Sequence, residues 1–297
     1  MTKAYDTLHG VCDLHVHSTC SDGTDTVREL VDGARELGLA AIALTDHNTA
    51  RGVPELMEYA AQRGVCAIGG CEVSTSSRYG ELHVLGLFLD GAACSALEAY
   101  LAPYVNAKRE SNRSLIASLN AAGYKIDHDT VAAAVVGGVF NRAHVAVELT
   151  RLGYTASKDE AFATLLRKGG EHYREPMRLG TEECIRYLSG LGAAVVLAHP
   201  LLNLNEAQLR ELLPGMKAAG LDGMETYYTT YTDAECALAL SIADDFGLLA
   251  SGGSDYHGER KPGNRLGTGY GTLSVPADII LPLKGRAEEK KQRRDTI

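Results

Sequence analysis

The chain has 297 residues, 45% of them hydrophobic and 23% charged, which is ordinary for a globular protein of one large or two smaller domains. Its net charge of −9 excludes a general nucleic-acid coat, which needs a basic surface; a small phosphate-bearing ligand is still allowed, because metal ions invert the local potential. No apolar run approaches the ~20 residues of a membrane span. Seven cysteines without a Cys-x-x-Cys pair, and no apolar leader, point to a reducing, cytoplasmic setting with the thiols as small core residues.

Residues 1–10 carry little pattern. Residues 11–17 alternate as a strand, so His15 and His17 share one face, and Ser21-Asp22-Gly23 makes the turn that follows. Thr26-Val27-Arg28-Glu29 is a capping box; it opens a helix with the stripe Val27, Leu30, Val31, Ala34 and Leu37, stopped by Gly38. Residues 39–44 read as a buried strand that runs into Thr45-Asp46-His47-Asn48. A helix over 54–62 and a strand over 65–68 lead to Gly69-Gly70-Cys71-Glu72, and residues 81–88 form the next strand. Repeated β-α units with polar groups at the strand ends predict a parallel sheet or barrel, with a site at the carboxyl ends of its strands.

From residue 93 to 180 the pattern becomes Ala-rich and helical. Leu97, Leu101, Tyr104, Val105, Leu115, Ile116 and Leu119 recur at three-to-four spacing, and Ser157-Lys158-Asp159-Glu160 is another capping box. The segment is expected to be an all-helical insertion. The β-α rhythm resumes over 181–275. Strands are expected at 193–197, ending in Ala198-His199-Pro200, at 223–226, and at 248–250, leading to Gly253-Ser254-Asp255-Tyr256-His257. Helices are expected at 182–191, at 205–219 and after the capping box Thr232–Glu235. Residues 276–297 are expected to be a charged tail, since the run 286–294 shows no core face.

Six of the ten histidines (15, 17, 47, 83, 199 and 257) sit at or just after expected strands, with Asp22, Asp46, Glu72 and Asp255 in similar places. Singly, each reads as a turn residue or a bonded core group. Jointly they converge on one pocket, where desolvating so many titratable groups is costly unless divalent metals compensate. Asp46 could orient His47 or, with Asn48, cap a helix.

His15-x-His17, Asp22-Gly23, Thr45-Asp46-His47, Glu72, His83, Ala198-His199-Pro200 and Gly253-Ser254-Asp255-x-His257 resemble the motif set of the PHP (polymerase and histidinol phosphatase) superfamily. The resemblance implies an α/β fold, a distorted (β/α)7 barrel, here interrupted by the insertion, and two to three divalent ions of manganese, iron or zinc. It implies that His15, His17, Glu72 and Asp255 hold one ion. Glu72, His83 and His199 would hold a second, and Asp22, His47 and His257 a third. Glu72, Asp255 and His257 would stand at the catalytic centre, and a hydroxide bridging the metals would attack phosphorus without a protein nucleophile.

The insertion resembles that of the branch holding nucleoside 3′,5′-bisphosphate phosphatases and 5′–3′ exoribonucleases, through Arg142-Ala143-His144-Val145-Ala146. Ala143 replaces the usual proline, Asn48 the usual Asp, and His172-Tyr173-Arg174-Glu175-Pro176 departs in its charged middle. The implied activity is hydrolysis of nucleotide phosphomonoesters, with trimming of short oligonucleotides. Arg142 and His144, then Lys261 and Arg265, are the expected phosphate partners. Histidinol-phosphate hydrolysis and a non-catalytic regulatory module are the alternatives. The expected partner is a small phosphorylated substrate, without membrane or duplex DNA.

Overall fold

The computed structural model describes residues 9–133 and 140–295; the first eight residues of the patternless leader and the last two of the expected tail lie outside them. Two compact units emerge: residues up to Tyr100 together with those from Leu179 onward, and Leu101–Arg178.

The first unit opens with β1 (Val11–Val16), α1 (Val27–Glu36), β2 (Ala41–Leu44), α2 (Val53–Arg63), β3 (Ala67–Ser77) and β4 (Gly80–Leu87). It then includes the first turns of α3 (Gly91–Ala121). The second unit holds the rest of α3 with α4 (His128–Ala133), α5 (Arg142–Arg151) and α6 (Lys158–Ala163). Its own core gathers Leu115, Leu119, Val145, Leu149, Ala161 and Leu166, the apolar positions that helical spacing selects.

The first unit resumes with α7 (Thr181–Gly190), β5 (Ala194–Ala198), α8 (Pro200–Asn203), α9 (Glu206–Ala219) and β6 (Gly223–Tyr228). It ends with α10 (Asp233–Asp245), β7 (Leu249–Gly253), β8 (Val275–Pro276) and α11 (Ile280–Asp295). The capping boxes expected at Thr26–Glu29 and Thr232–Glu235 are both formed.

One eight-stranded sheet runs in the order β7-β6-β5-β4-β3-β2-β1-β8. Val16 bridges to Tyr256 just past β7, and the His17 N–H donates to the Tyr256 carbonyl at 2.9 Å, so the sheet nearly closes on itself. Closure needs a glycine at position 253, where a Cβ would lie 2.5 Å from the His15 nitrogen. On β2, Ala41 and Ala43 join a core shared with β3, β4, β5 and α11, while Ile42 and Leu44 face α1 and α2. The alternate residues of one strand thus serve two layers.

Three features differ from expectation. The pairs β1–β2, β2–β3, β5–β6 and β6–β7 are parallel, but β4 runs antiparallel to both β3 and β5. Its site residue His83 therefore lies toward the start of its strand. Second, β3 continues to Ser77 through Gly69-Gly70, which reads as a break. Gly70 instead admits close strand packing, since a Cβ there would lie 3.0 Å from the Gly86 carbonyl.

Third, residues 280–295 are not a solvated tail but the helix α11. Ile280, Leu283 and Ala287 are buried in the barrel core, and Lys290 donates to Asp222 and to the Gly220 and Ala193 carbonyls. A long lysine stem can cross apolar surface to reach such acceptors, so its core-facing role is invisible in a charge pattern. Among the described residues no helix is long and apolar enough to cross a membrane, and all seven cysteines are free.

Candidate metal centre

Glu72 is the centre of the site. It sits fully buried on β3, on the strand face that Ile68 fills nearer the start, and its register places it opposite Leu85. His83 and Leu85 share a face of β4, so that strand too gives core at one end and a polar group at the other. Glu72 Oε1 lies 2.8 Å from His83 Nδ1 and 3.0 Å from His199 Nε2. Its Oε2 lies 2.9 Å from His47 Nδ1 and 3.3 Å from both His15 Nε2 and His17 Nε2. Asp255 Oδ1 approaches His17 Nε2 at 3.2 Å and His15 Nε2 at 3.6 Å. Asp22 Oδ1 stands 3.3 Å from His257 Nε2 and 3.8 Å from His47 Nε2 and His17 Nδ1.

Three groups of donors can each hold an ion: His15, His17, Glu72 and Asp255; His17, Asp22, His47 and His257; and His47, Glu72 and His83. The first has the composition expected from sequence. In the second His17 joins the expected trio of Asp22, His47 and His257. In the third His47 stands where His199 was expected, although His199 also reaches Glu72. His17, His47 and Glu72 each serve two groups, so the centre is one cluster and not three separate sites.

The donor set fits metal ions on its own chemistry. Buried atoms without a hydrogen-bond partner include His15 Nε2, both ring nitrogens of His17, His47 Nδ1, Glu72 Oε2 and His199 Nδ1; among the described residues only Ser251 Oγ adds to them outside the cluster. Orphaned buried donors and acceptors are rare in folded proteins, and imidazole and carboxylate atoms concentrated on one spot are the donor set that divalent cations take.

Electrostatics agree. Burial works to raise Glu72 and Asp255, but the surrounding imidazoles, with Lys261 beside Asp255, outweigh it and hold both carboxyls well below the usual range. Burial likewise opposes ionisation of Asp22, and His257, His47 and His17 overcome it. Burial pushes His47 and His257 down, leaving neutral rings able to ligate.

The backbone is bent to make the cluster. His199 (φ 29°) and Asp255 (φ 50°) occupy the left-handed region, as does Asn48 (φ 54°), which follows His47. Asn48 earns its place locally: its N–H donates to the Glu72 carbonyl at 2.7 Å, and its side chain bonds the Ser74 N–H at 3.0 Å. Asp46 neither orients His47 nor caps a helix. It accepts from the Ser18 N–H at 2.8 Å and from the Ser18 and Ser21 hydroxyls at 2.7 Å and 2.5 Å, fixing the loop that presents Asp22.

The expected phosphate partners divide. Lys261 lines the cavity of about 320 Å³ beside His83, His199 and Asp255, with Nζ 2.5 Å from Asp255 Oδ2. Arg265 does not line it: the neighbouring Leu266 is buried against the α1 cluster, and Arg265 is left exposed in a turn closed by Gly269. In the second unit, Arg142 donates to the Leu166 carbonyl at 2.9 Å and lies over Tyr173 and Phe162, 4.3 and 5.0 Å from their ring centroids. His144 accepts the Asn141 N–H at 3.1 Å in a capping box.

Sequence reasoning missed Glu225, Asp13 and Tyr228. Glu225 is fully buried on β6, 2.9 Å from His15 Nδ1. Tyr228 donates to Asp255 Oδ2 at 2.7 Å. Asp13 is fully buried two residues before His15. Acidic residues within strands read as apolar-pattern interruptions; Asp13 and Glu225 on otherwise buried strands were the available signal.

The PHP domain signature matches residues 13–189. The chain is 30% identical over 251 residues to the phosphoribosyl 1,2-cyclic phosphate 1,2-diphosphodiesterase of Eggerthella lenta, covering 83% of this chain and 94% of that protein. It is 31% identical over 264 residues to the 3′,5′-nucleoside bisphosphate phosphatase of Chromobacterium violaceum, covering 86% and 90%. A solved structure from Bifidobacterium adolescentis, described as a metal-dependent phosphoesterase, matches with a TM-score of 0.73 and 30% identity over 93% of this chain and 96% of that one. Motif, fold and cluster thus converge: this chain belongs to the PHP domain family and is a hydrolase of phosphoric ester bonds.

Proposed function

We propose that this chain removes phosphate from a nucleotide phosphomonoester, in the first place the 3′-phosphate of a nucleoside 3′,5′-bisphosphate. The observation that carries the reading is Glu72, whose two oxygens reach five imidazoles and so can bridge two cations. His15, His17, Glu72 and Asp255 would hold one ion, Glu72 with His83 and His47 or His199 a second, and Asp22, His47 and His257 a third. Ions of manganese, iron or zinc would polarise the phosphoryl oxygens and lower the pKa of water.

The chain's own groups do the rest. Lys261 offers the phosphate a cation at the cavity wall, and Tyr228 holds Asp255 in place through its hydroxyl. The acidic overall charge favours a short substrate over a polymer, and the Chromobacterium violaceum relative supports the bisphosphate. A cyclic phosphodiester is a second reading, supported by the Eggerthella lenta relative.

Phosphate release from 3′-phosphoadenosine 5′-phosphate, short oligonucleotides, histidinol phosphate and a ribose 1,2-cyclic phosphate, each with manganese, separates the readings. The bisphosphate is expected to be turned over fastest. Preference for histidinol phosphate overturns the assignment, and preference for the cyclic ester favours the second reading.

A further inference from the structure

Glu225 makes no direct approach to the cavity, yet both of its oxygens are spent on ligands. It sits fully buried on β6, between β5 and β7 in the sheet. Oε1 lies 2.9 Å from Nδ1 of His15, and Oε2 accepts the backbone N–H of His199 at 2.7 Å. The other His15 nitrogen, Nε2, points at Glu72 and Asp255 without a hydrogen bond.

Two consequences follow from this geometry. A carboxylate can only accept, so Nδ1 of His15 carries a proton, and the neutral ring that ligates an ion must then present the lone pair of Nε2 to the cluster. The second concerns His199, whose φ of 29° and ψ of 51° place a non-glycine residue in the left-handed region. It also precedes Pro200, a position where the proline ring favours extended backbone. Such a conformation persists only where neighbours enforce it, and the bond from the His199 N–H to Glu225 is one such restraint.

We infer that Glu225 is a positioning residue that sets two metal-binding histidines at once, the tautomer of His15 and the backbone of His199. The inference rests on the metal-centre reading above. Replacement by glutamine keeps the shape and removes half of the function. If its carbonyl faces His199, its amide donates to His15 Nδ1 and moves the ring proton to Nε2, the atom needed for the ion. If it is reversed, two donors meet at the His199 N–H. Either orientation loses one of the two restraints.

The test is metal titration of wild type and Glu225→Gln with manganese, followed by elemental analysis and calorimetry. We expect the variant to bind the ion held by His15, His17, Glu72 and Asp255 about 10–100-fold less tightly, while the ion held by Asp22, His47 and His257 is retained. Equal affinities and equal metal content in a folded variant overturn the role of Glu225. A wild type that binds no metal overturns the metal-centre reading itself. A measurement on wild type alone covers the case of a variant that does not fold. In the zinc-loaded protein, nitrogen-15 spectroscopy should find His15 protonated at Nδ1, and an unprotonated Nδ1 overturns the inference.

Discussion

Asp13 on the first strand holds Ser254 just beyond β7, 241 positions later in the chain. One carboxylate oxygen accepts the Ser254 N–H at 2.9 Å, and the other accepts its hydroxyl at 2.5 Å and the Gly267 N–H at 2.8 Å. The clamp fixes both ends of the segment that carries Asp255, His257 and Lys261, while β1 itself carries His15 and leads directly into His17. One buried side chain thereby registers the two sides of the closing sheet.

Asp13→Ala should therefore cost more than an ordinary substitution. It leaves buried Ser254 and Gly267 donors unpaired, and bonds to a charged acceptor contribute about 1.5–3 kcal/mol each. We expect a loss of about 3 kcal/mol in urea unfolding together with a lower metal content. A change within about 0.5 kcal/mol would show that the segment is held by other contacts.

The sharing of ligands predicts unequal effects of single substitutions. His17 belongs to two donor groups and Asp22 to one. His17→Ala should deplete two ions, and Asp22→Ala only the one it shares with His47 and His257. Glu72→Gln should reduce hydrolysis below about 1% of wild type, because removing a bridging carboxylate disturbs two cations together. Elemental analysis of the three variants checks the order; equal metal loss in His17→Ala and Asp22→Ala would contradict the shared-ligand geometry.

Chelation should abolish hydrolysis, and readdition of manganese should restore it. The activity lost should exceed about a hundredfold, since the cations are what would lower the pKa of the attacking water toward neutrality. Undiminished phosphate release from protein shown to be metal-free would remove the basis of the proposed chemistry.

Metal uptake should release protons. In the metal-free cluster burial opposes charge on His17 and His83. The carboxylates of Asp255 and Glu72 outweigh it for His17, pushing it up to about 9, and Glu72 does so for His83, pushing it up to about 10. Both rings are then protonated at neutral pH and must lose a proton to ligate, so metal affinity should rise with pH toward that range.

Stability of the chelated protein has the opposite dependence. The raised histidines contribute stability that is full below their ordinary 6.5 and is lost as pH climbs through 9 and 10. Glu72 and Asp255, held below their ordinary values of 4.5 and 3.8, contribute stability that is lost as pH falls beneath that range. Urea midpoints in chelator should therefore be higher at pH ~5.5 than at pH ~9.5. Equal midpoints would count against these pairs.

Lys290→Ala tests α11 apart from the metal centre. Lys290 reaches Asp222 and two backbone carbonyls, and an Asp222 carboxylate with little exposure should cost about 1–3 kcal/mol without its cation. The loss should appear in thermal unfolding, with metal content unchanged. An unaltered melting temperature would show that the Lys290 contacts add nothing and that α11 is held by Ile280, Leu283 and Ala287 alone.

Much of this protein is determined by the sequence alone. Short-range signals carried the helix starts at Thr26 and Thr232, because a capping box is satisfied within four residues. The alternation in β1 placed His15 and His17 on one face, and the order of motifs marked nine ligand candidates, all of which come together around Glu72, Asp22 and Asp255. Only the tertiary structure decided what depends on neighbours remote in the chain. The antiparallel course of β4, the passage of β3 through Gly69-Gly70, and the packing of α11 are set by which strand or helix lies alongside. The same holds for Asp13 and Glu225. A buried carboxylate in a strand looks like an error in the apolar pattern until the donors it satisfies, some more than two hundred residues away, are brought against it.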